Sequence, residues 1–157
     1  IRQATVADAQ LIATLNIPVQ QLHHEARPQS FKPPRDDAEM VAHYVDVLKN
    51  PDNRVYVGEV DGQPVGYVYA IIYNHPDNPF GYARDYIYID QISVNPDQRG
   101  KGYGKLLTET VLDLARKEGI ERVTLSMWLF NSDAQQFYQK LGFSAYVQYM
   151  AIDLEED

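Results

Sequence analysis

The seven positions 99–105 hold three basic residues and three glycines, in the order RGKGYGK. Glycine has no side chain, so a loop of this composition leaves its backbone N–H groups accessible to a ligand. A helical pattern begins within it, and the first turn of a helix attracts negative charge through unpaired N–H groups and the helix dipole. Arg99, Lys101 and Lys105 add positive charge in a chain whose formal net charge is −8. The stretch therefore predicts a loop that binds a phosphate or pyrophosphate group.

The spacing of the glycines excludes two common phosphate motifs. A P-loop requires G-x-x-x-x-G-K-[ST], and a dinucleotide fingerprint requires G-x-G-x-x-G. Gly100, Gly102 and Gly104 alternate with other residues and fit neither pattern. A second interpretation stays open at this point, in which the loop is a tight strand-to-helix turn whose glycines serve packing alone.

A strand before the loop and a helix after it must hold these residues in place. Residues 86–94, with the sequence YIYIDQISV, form an apolar run typical of a buried strand, and the NPD sequence that follows favours a turn. Beyond the loop, apolar residues recur at helical spacing as far as Gly119, where we expect the helix to end. The loop thus lies between a strand and a strongly amphipathic helix.

The same patterns predict the order α-α-β-β-β-α-β-α-β for the whole chain. We expect the first helix over about 6–16, broken or kinked by Pro18. Val19 and Leu22 leave open a second helical piece toward Ala26, and residues 23–35 are expected to be an irregular surface segment. The other helices are predicted at about 38–49, 103–118 and 133–141. The strands are predicted at 55–60, 65–73, 86–94 and 122–130, with one or two terminal strands in 143–154. Strands joined through helices after residue 100 should run parallel.

Composition limits the class of protein. A chain of 157 residues is long enough for one domain, which we expect to cover residues 1–157. The acidic charge argues against nucleic acid as a partner, and no apolar run has the length of a membrane span. The absence of cysteine fits a reducing compartment, so we expect a cytoplasmic protein. The first residues do not resemble a signal peptide, and the missing initiator Met leaves open whether the N-terminus is trimmed.

Two motifs together resemble the GNAT-type N-acetyltransferases. The first is R-x-x-G-x-G, at Arg99, Gly102 and Gly104. The second is N-x-x-A-x-x-F-Y-x-K-L-G-F, whose residues are Asn131, Ala134, Phe137, Tyr138, Lys140, Leu141, Gly142 and Phe143. The resemblance covers residues 86–143 and implies an α/β (α+β) fold of the acyl-CoA N-acyltransferase type. Such a fold has a mixed, mostly antiparallel sheet of six or seven strands with helices on both faces.

The resemblance implies an enzyme that moves an acetyl group from acetyl-CoA to a primary amine by direct attack in a ternary complex. In the family, the strands here at 86–94 and 122–130 splay apart and admit the pantetheine arm. The residues implied to bind acetyl-CoA are Ile92, Ser93, Val94, Arg99, Gly100, Lys101, Gly102, Tyr103, Gly104, Lys105 and Asn131. For Asn131, a role at the start of a helix is an equal alternative. The alternative function is a non-catalytic acyl-CoA-binding sensor or regulatory module.

The resemblance also implies catalytic groups. Tyr138 matches the family's usual general acid, which protonates the leaving thiolate, and a backbone N–H near Ile92 should stabilise the oxyanion. Many relatives carry a Glu in the middle of the strand before the loop, where this chain has Tyr88, Asp90 and Gln91. We favour Asp90 as the base that removes the proton of the amine, and an ordinary solvated strand residue remains the alternative.

The acceptor side is expected to involve His24, Phe31 and Phe80, in the segment 23–35 and the loop 74–85. His23 or His24 could also serve as the base, and a plain surface histidine is the alternative for each. The acceptor is expected to be a small-molecule or peptide amine, and the sequence does not separate a polyamine, an amino acid, an antibiotic or a protein N-terminus. No His or carboxylate pair has convincing metal-ligand spacing, so we expect no metal. A homodimer is left open.

Overall fold

The computed structural model describes residues 1–154. The chain divides into two compact units, Ile1–Ser126 and Met127–Asp157. The first unit contains the sheet and three α-helices, and the described part of the second unit, up to residue 154, contains one α-helix. The expectation of one domain over 1–157 stays a prediction.

The sheet has five strands in the spatial order β1-β2-β3-β4-β5. The strands are Arg2–Gln3 (β1), Asn53–Val60 (β2), Gln63–His75 (β3), Arg84–Val94 (β4) and Val123–Leu125 (β5). Strands β1 to β4 pair antiparallel, and β4 pairs with β5 in parallel. The fold class and the parallel pair around the loop are therefore confirmed. The short β1 was not predicted, because two residues show no period.

The expectation of six or seven strands was wrong for the described residues. The strand expected at 122–130 is only three residues long, and residues 143–154 form no strand. The terminal segment has the apolar character of a strand, yet most of its large side chains are exposed, with Tyr149 at 91% and Met150 at 88%. A strand exists only through hydrogen bonds to a neighbouring strand, and sequence pattern does not supply that neighbour.

The helices are Ala9–Ala26 (α1), Ala38–Lys49 (α2), Tyr103–Glu118 (α3) and Ser132–Lys140 (α4). The main correction concerns Pro18, which was expected to break or kink the first helix but lies inside α1. Proline removes one helical hydrogen bond, and the cost is met here because α1 buries Ile12, Ala13 and Leu15 against the core. The segment expected to be irregular from residue 23 therefore begins only after Ala26.

Helices cover both faces of the sheet. On one face, α1 and α2 pack on alternate side chains of β2 and β3, including Val55, Val57 and Tyr67. On the other face, α3 packs through Leu107 and Val111 on the remaining side chains of β3 and on β4. This arrangement fixes the start of α3 directly after the end of β4, which is where the glycine-rich loop lies.

Candidate functional site

The glycine-rich loop offers a row of unpaired backbone donors. A single turn of 3-10 helix, Pro96–Gln98, leads out of β4, and Gly100 and Gly102 then adopt φ angles of 77° and 88°. A residue that has a side chain rarely adopts such φ angles, so both positions need glycine. Among the described residues, none of the six N–H groups of residues 100–105 donates a hydrogen bond within the protein. These donors stand at the positive end of a 16-residue helix, which favours an anion.

The basic side chains around the loop have partners of their own. The Arg99 Nε donates to the backbone oxygen of Val94 at 3.2 Å, which ties the loop to the end of β4. The Lys101 Nζ donates to the Gln98 Oε1 at 3.0 Å, and the Lys105 Nζ lies 3.6 Å from a Glu109 carboxylate oxygen. All three are exposed, so they can add positive charge to the loop while the backbone supplies the directed donors.

Strand β4 has an open edge next to the loop. It pairs with β5 only through residues 87–89. The N–H of Asn95 donates to the Val65 oxygen on the β3 side, and backbone groups of successive residues alternate in direction. The N–H groups of Ile92 and Val94 therefore face away from β3, and no strand within residues 1–126 pairs with them there. An extended chain lying along this edge could accept their hydrogen bonds.

Ser93 lies between these two residues in a tightly packed place. Its side chain is 5% exposed, and its Oγ is buried without a hydrogen-bond partner among the described residues. A Cβ built on Gly66, in the neighbouring strand, would lie 2.3 Å from the backbone oxygen of Ser93. The glycine therefore allows β3 and β4 to approach closely where β4 ends.

Asp90 lies at an irregularity in β4. Tyr69 of β3 pairs with Gln91 of β4, and the next residue, Ala70, pairs with Ile89. Asp90 therefore has no partner residue in β3. Such a β-bulge changes the direction in which the side chain of the extra residue points. The Asp90 side chain keeps contact with solvent, yet partial burial raises the pKa of its carboxyl, while a hydrogen bond from Gln91 and the charge of His43 act in the opposite direction. A raised pKa makes this carboxylate a better base.

The second unit contains Tyr138, on α4. Its side chain is 5% exposed, and its ring packs edge-on against Phe137 and Phe143 with centroid distances of 5.0 Å and 5.5 Å. Burial raises the pKa of the Tyr138 phenol well above its ordinary value. The hydroxyl therefore carries its proton at neutral pH, and no side chain within residues 127–154 accepts it in a hydrogen bond.

Asn131 occupies the N-cap of α4, where its side-chain oxygen accepts a hydrogen bond from the Ala134 N–H at 3.2 Å. The alternative role at a helix start is therefore present. Ser132 follows as the first residue of α4.

His24 and Phe31 come together in the segment after α1. The His24 Nδ1 lies 2.7 Å from the Phe31 backbone oxygen, and the ring of His23 stacks on Phe31 at 4.9 Å. Burial lowers the pKa of His23, which favours its neutral form. Phe31 borders a cavity of about 250 Å³, lined also by Asn16, Gln20, Ser30, Lys32, Pro33, Arg35 and Met40.

Phe80 lies apart from this cavity. It stands at the tip of the loop between β3 and β4, where its side chain is 99% exposed. The loop is held by Asn78, whose side-chain oxygen accepts hydrogen bonds from the N–H groups of Phe80 and Gly81. The structure thus brings His24 and Phe31 together and leaves Phe80 outside the cavity lining.

Two other kinds of feature are absent from residues 1–154. No group of three or more His, Asp or Glu side chains in residues 1–154 is arranged to hold a metal ion. None of the helices in that range combines the length and apolar character needed to cross a membrane.

Comparison with known proteins decides the family. The sequence model described as the acetyltransferase (GNAT) family matches residues 18–143. The chain belongs to the GNAT family. It is 36% identical over 97 residues to a protein of Methanocaldococcus jannaschii named an uncharacterized N-acetyltransferase, with 62% of this chain and 42% of the relative covered. It is 27% identical over 135 residues to the L-ornithine N5-acetyltransferase NATA1 of Arabidopsis thaliana, with 85% and 56% covered. The chain thus spans about half the length of these curated relatives.

Solved structures share the fold. A tetramutant of the BH1408 protein from Bacillus halodurans superposes with a TM-score of 0.91 at 24% identity, over 98% of both chains. At this level of identity the likeness concerns the GNAT fold alone.

Sequence reasoning missed one group of residues in this GNAT chain. Asn16, Tyr44, Tyr67 and Gln91 form a hydrogen-bonded cluster beside Asp90. The residues come from four elements, so no local spacing connects them. The sequence does contain one signal for the cluster. Polar residues stand at positions where the predicted helices and strands face the core, and buried polar groups need hydrogen-bond partners.

Proposed function

We propose that this chain catalyses transfer of an acetyl group from acetyl-CoA to a primary amine, by direct attack in a ternary complex. The observation that carries the proposal is the row of six unpaired N–H groups at residues 100–105, directly after the open edge of β4. The GNAT membership of the chain and the names of its relatives support it. Within residues 1–154, no feature favours the alternative of a non-catalytic acyl-CoA sensor.

The loop suits the pyrophosphate of acetyl-CoA. Backbone N–H groups and a helix N-terminus bind such a group without a dedicated cationic side chain. We assign this role to the loop residues Arg99, Gly100, Lys101, Gly102, Tyr103, Gly104 and Lys105. The amide-containing pantetheine arm would then lie along the open edge of β4 and bond to the backbone near Ile92, Ser93 and Val94. Asn131 is assigned to the same arm in addition to its capping role.

Starting from an ammonium group, the chemistry requires the nitrogen to lose two protons and the sulfur to gain one. In the proposed mechanism the Asp90 carboxylate removes a proton from the ammonium group, and the neutral nitrogen attacks the thioester carbonyl. The N–H of Ile92 stabilises the oxyanion that forms. Collapse of this intermediate breaks the C–S bond, and Tyr138 donates its proton to the sulfur. The nitrogen loses its second proton, which balances the proton that Tyr138 gives up. The products are an acetamide and the free thiol of CoA.

The acceptor is proposed to be a small-molecule or peptide amine that contacts His24 and Phe31. The cavity beside Phe31 has room for a small polar group and contains Lys32 and Arg35 at its border. One relative is named for its action on L-ornithine, and an amino acid therefore comes first in a test. Phe80 is retained as a contact for a larger acceptor. We also propose a cytoplasmic location, supported by the absence of cysteine.

A thiol-release assay tests the function. Purified protein is incubated with acetyl-CoA and, separately, L-ornithine, spermidine, an aminoglycoside and an alanine-terminated peptide. We expect release of free CoA that depends on one class of amine, and an acetylated product by mass spectrometry. Tight binding of acetyl-CoA without amine-dependent release for any class would instead support the sensor.

A further inference from the structure

The lining of the cavity beside Phe31 carries positive charge. Two of its residues, Lys32 and Arg35, are basic, and in the part of the chain that the structure describes no Asp or Glu lines it. The chain as a whole has a formal net charge of −8. The sign of the cavity is therefore opposite to that of the protein, and it suits a ligand with a negative group.

The two basic residues of the cavity differ in their partners. The Arg35 Nη2 lies 2.6 Å from a Glu39 carboxylate oxygen, and its Nη1 lies 3.5 Å from an Asp37 carboxylate oxygen. These carboxylates compensate the charge of Arg35 and hold it at the start of α2. No Asp or Glu side chain in residues 1–154 pairs with Lys32. The ammonium of Lys32 is therefore the charge that a ligand can pair with.

The segment that contains Lys32 is held in place by α1. The Gln20 Nε2 donates to the backbone oxygen of Lys32 at 2.7 Å, and the His24 Nδ1 lies 2.7 Å from the backbone oxygen of Phe31. The ring of His23 also stacks on Phe31. The backbone at Lys32 is thus positioned before any ligand binds, which lowers the entropic cost of binding.

The buried end of the cavity leads toward β4. Asn16 lines the cavity and is 7% exposed. Its Nδ2 donates to the Tyr67 hydroxyl at 2.8 Å, and Tyr67 donates to the Oε1 of Gln91, on β4, at 2.7 Å. The Asn16 Oδ1 accepts no hydrogen bond within residues 1–154, so it is available to the N–H of a ligand. The cavity therefore offers an oxygen at the end near β4 and a cation at its exposed end.

We propose that this cavity selects an acceptor that has both an amine and a carboxylate. The carboxylate pairs with Lys32, and the amine lies toward Asn16 and β4. The inference rests on the proposed function, and it narrows the acceptor to amino acids and related molecules with a short chain between the two groups. A volume of about 250 Å³ suits such a ligand, since pockets for drug-sized ligands begin at about 300 Å³.

Three amines of equal length test the sign of the cavity. They are 5-aminopentanoate, pentylamine and 1,5-diaminopentane, which share a reactive primary amine and differ in the charge at the other end. In the wild type, kcat/KM should be highest for 5-aminopentanoate and lowest for 1,5-diaminopentane. The two should differ by about tenfold or more, as expected for one charge-assisted hydrogen bond.

Variants of Lys32 connect the preference to one side chain. Lys32→Glu should invert the order of 5-aminopentanoate and 1,5-diaminopentane, while the KM for acetyl-CoA stays the same. Lys32→Met keeps the length of the side chain and removes its charge, so it should bring the three kcat/KM values close together. Lys117→Glu is the matched control, because it makes the same change of net charge on α3, outside the cavity. It should keep the wild-type order.

Binding is also measured without the reaction. ¹H–¹⁵N NMR spectra of the free protein are recorded with increasing 5-aminopentanoate and, separately, 1,5-diaminopentane. We expect saturable shifts of the Phe31 and Lys32 amide signals with 5-aminopentanoate alone, and their loss in Lys32→Glu. Because Lys32 is exposed, the affinity should also fall as salt is added.

The outcomes separate the inference from the proposed function. The same order of the three amines in wild type and Lys32→Glu would overturn the inference, as would a wild-type preference for 1,5-diaminopentane. Turnover of spermidine with none of 5-aminopentanoate would overturn it too, and so would the lack of saturable shifts in the wild type. If the wild type cleaves no thioester with any amine, the proposed function fails. The NMR titration then still decides whether the cavity binds a carboxylate through Lys32.

Discussion

The glycine-rich loop and the segment after α1 would bind their ligands by different means. The loop presents backbone N–H groups of residues 100–105, whose direction is set by two positive φ angles and the start of α3. The cavity beside Phe31 is instead lined mainly by side chains, such as Gln20, Lys32 and Met40. A backbone site leaves a glycine pattern in the sequence, whereas a side-chain site is defined by residues that no spacing connects.

The largest expected effect comes from a single side-chain atom. Tyr138→Phe keeps the ring that packs on Phe137 and Phe143 and removes only the hydroxyl. If Tyr138 is the general acid, kcat should fall by about 10²- to 10⁴-fold, while the affinity for acetyl-CoA stays the same. Steady-state kinetics and calorimetry measure the two quantities. Tyr149→Phe, at a position 91% exposed, is the control, and a wild-type kcat in Tyr138→Phe would assign the proton to another group.

The next effect tests the backbone side of the comparison. Gly104→Val places a side chain on the first turn of α3, where we expect the pyrophosphate to approach the backbone. Loss of one charge-assisted hydrogen bond should weaken acetyl-CoA binding by about tenfold or more. Gly104→Ala should weaken it less while it stabilises the helix by up to about 1 kcal/mol. Unchanged calorimetric affinity in a folded Gly104→Val protein would contradict the assignment of the loop.

A change at the cavity beside Phe31 should affect the amine and leave acetyl-CoA binding intact. Phe31→Ala removes the ring that stacks on His23 and borders the cavity. We expect the KM for the amine to rise by about tenfold, as for the loss of a buried apolar contact, with no change in acetyl-CoA affinity. Phe80→Ala removes a fully exposed ring, and it serves as the comparison variant for Phe31→Ala when the acceptor is small. Loss of acetyl-CoA affinity in Phe31→Ala would contradict this prediction, because it would show that the segment contacts acetyl-CoA rather than the amine.

The smallest effect concerns stability far from either region. The Arg2 guanidinium hydrogen-bonds to Asp8 and lowers the pKa of that carboxyl from its ordinary 3.8 to about 2. The ion pair therefore stabilises the fold above about pH 4, and this contribution is lost as the pH falls toward 2. Asp8→Asn should cost about 1 kcal/mol of unfolding free energy at pH 7, measured by urea denaturation. Asp113→Asn, which breaks an exposed pair with Arg116, should cost less, and equal losses would refute the distinction.

The loop and the strands next to it were predictable from sequence because their signals are local. Glycine spacing indicates a loop conformation, and the run at 86–94 indicates β4 with nearly its observed ends. Pro18 was misread because tertiary packing of α1 outweighs one lost hydrogen bond. The terminal strands were misread because pairing depends on a neighbour that lies elsewhere in the chain.

The cluster around Gln91 was beyond local reasoning for a related cause. Asn16, Tyr44 and Tyr67 are far apart in sequence, and each alone has the appearance of an ordinary helix or strand residue. Only the fold brings their hydrogen bonds together. By contrast, the N-cap role of Asn131 was open to prediction, because its partner Ala134 is three residues away.

The six unpaired N–H groups of the loop have a consequence for how this protein tolerates change over time. A backbone amide neither titrates nor disappears when its own side chain is replaced, so acid, base and most point mutations leave these donors in place. Drift in the gene can alter Lys101, Tyr103 or Lys105 and still preserve the donors, provided that Gly100 and Gly102 keep their unusual φ angles. The anion site therefore depends on the glycines rather than on the side chains of the neighbouring residues. Sequences that differ widely around the glycines can share the same binding geometry.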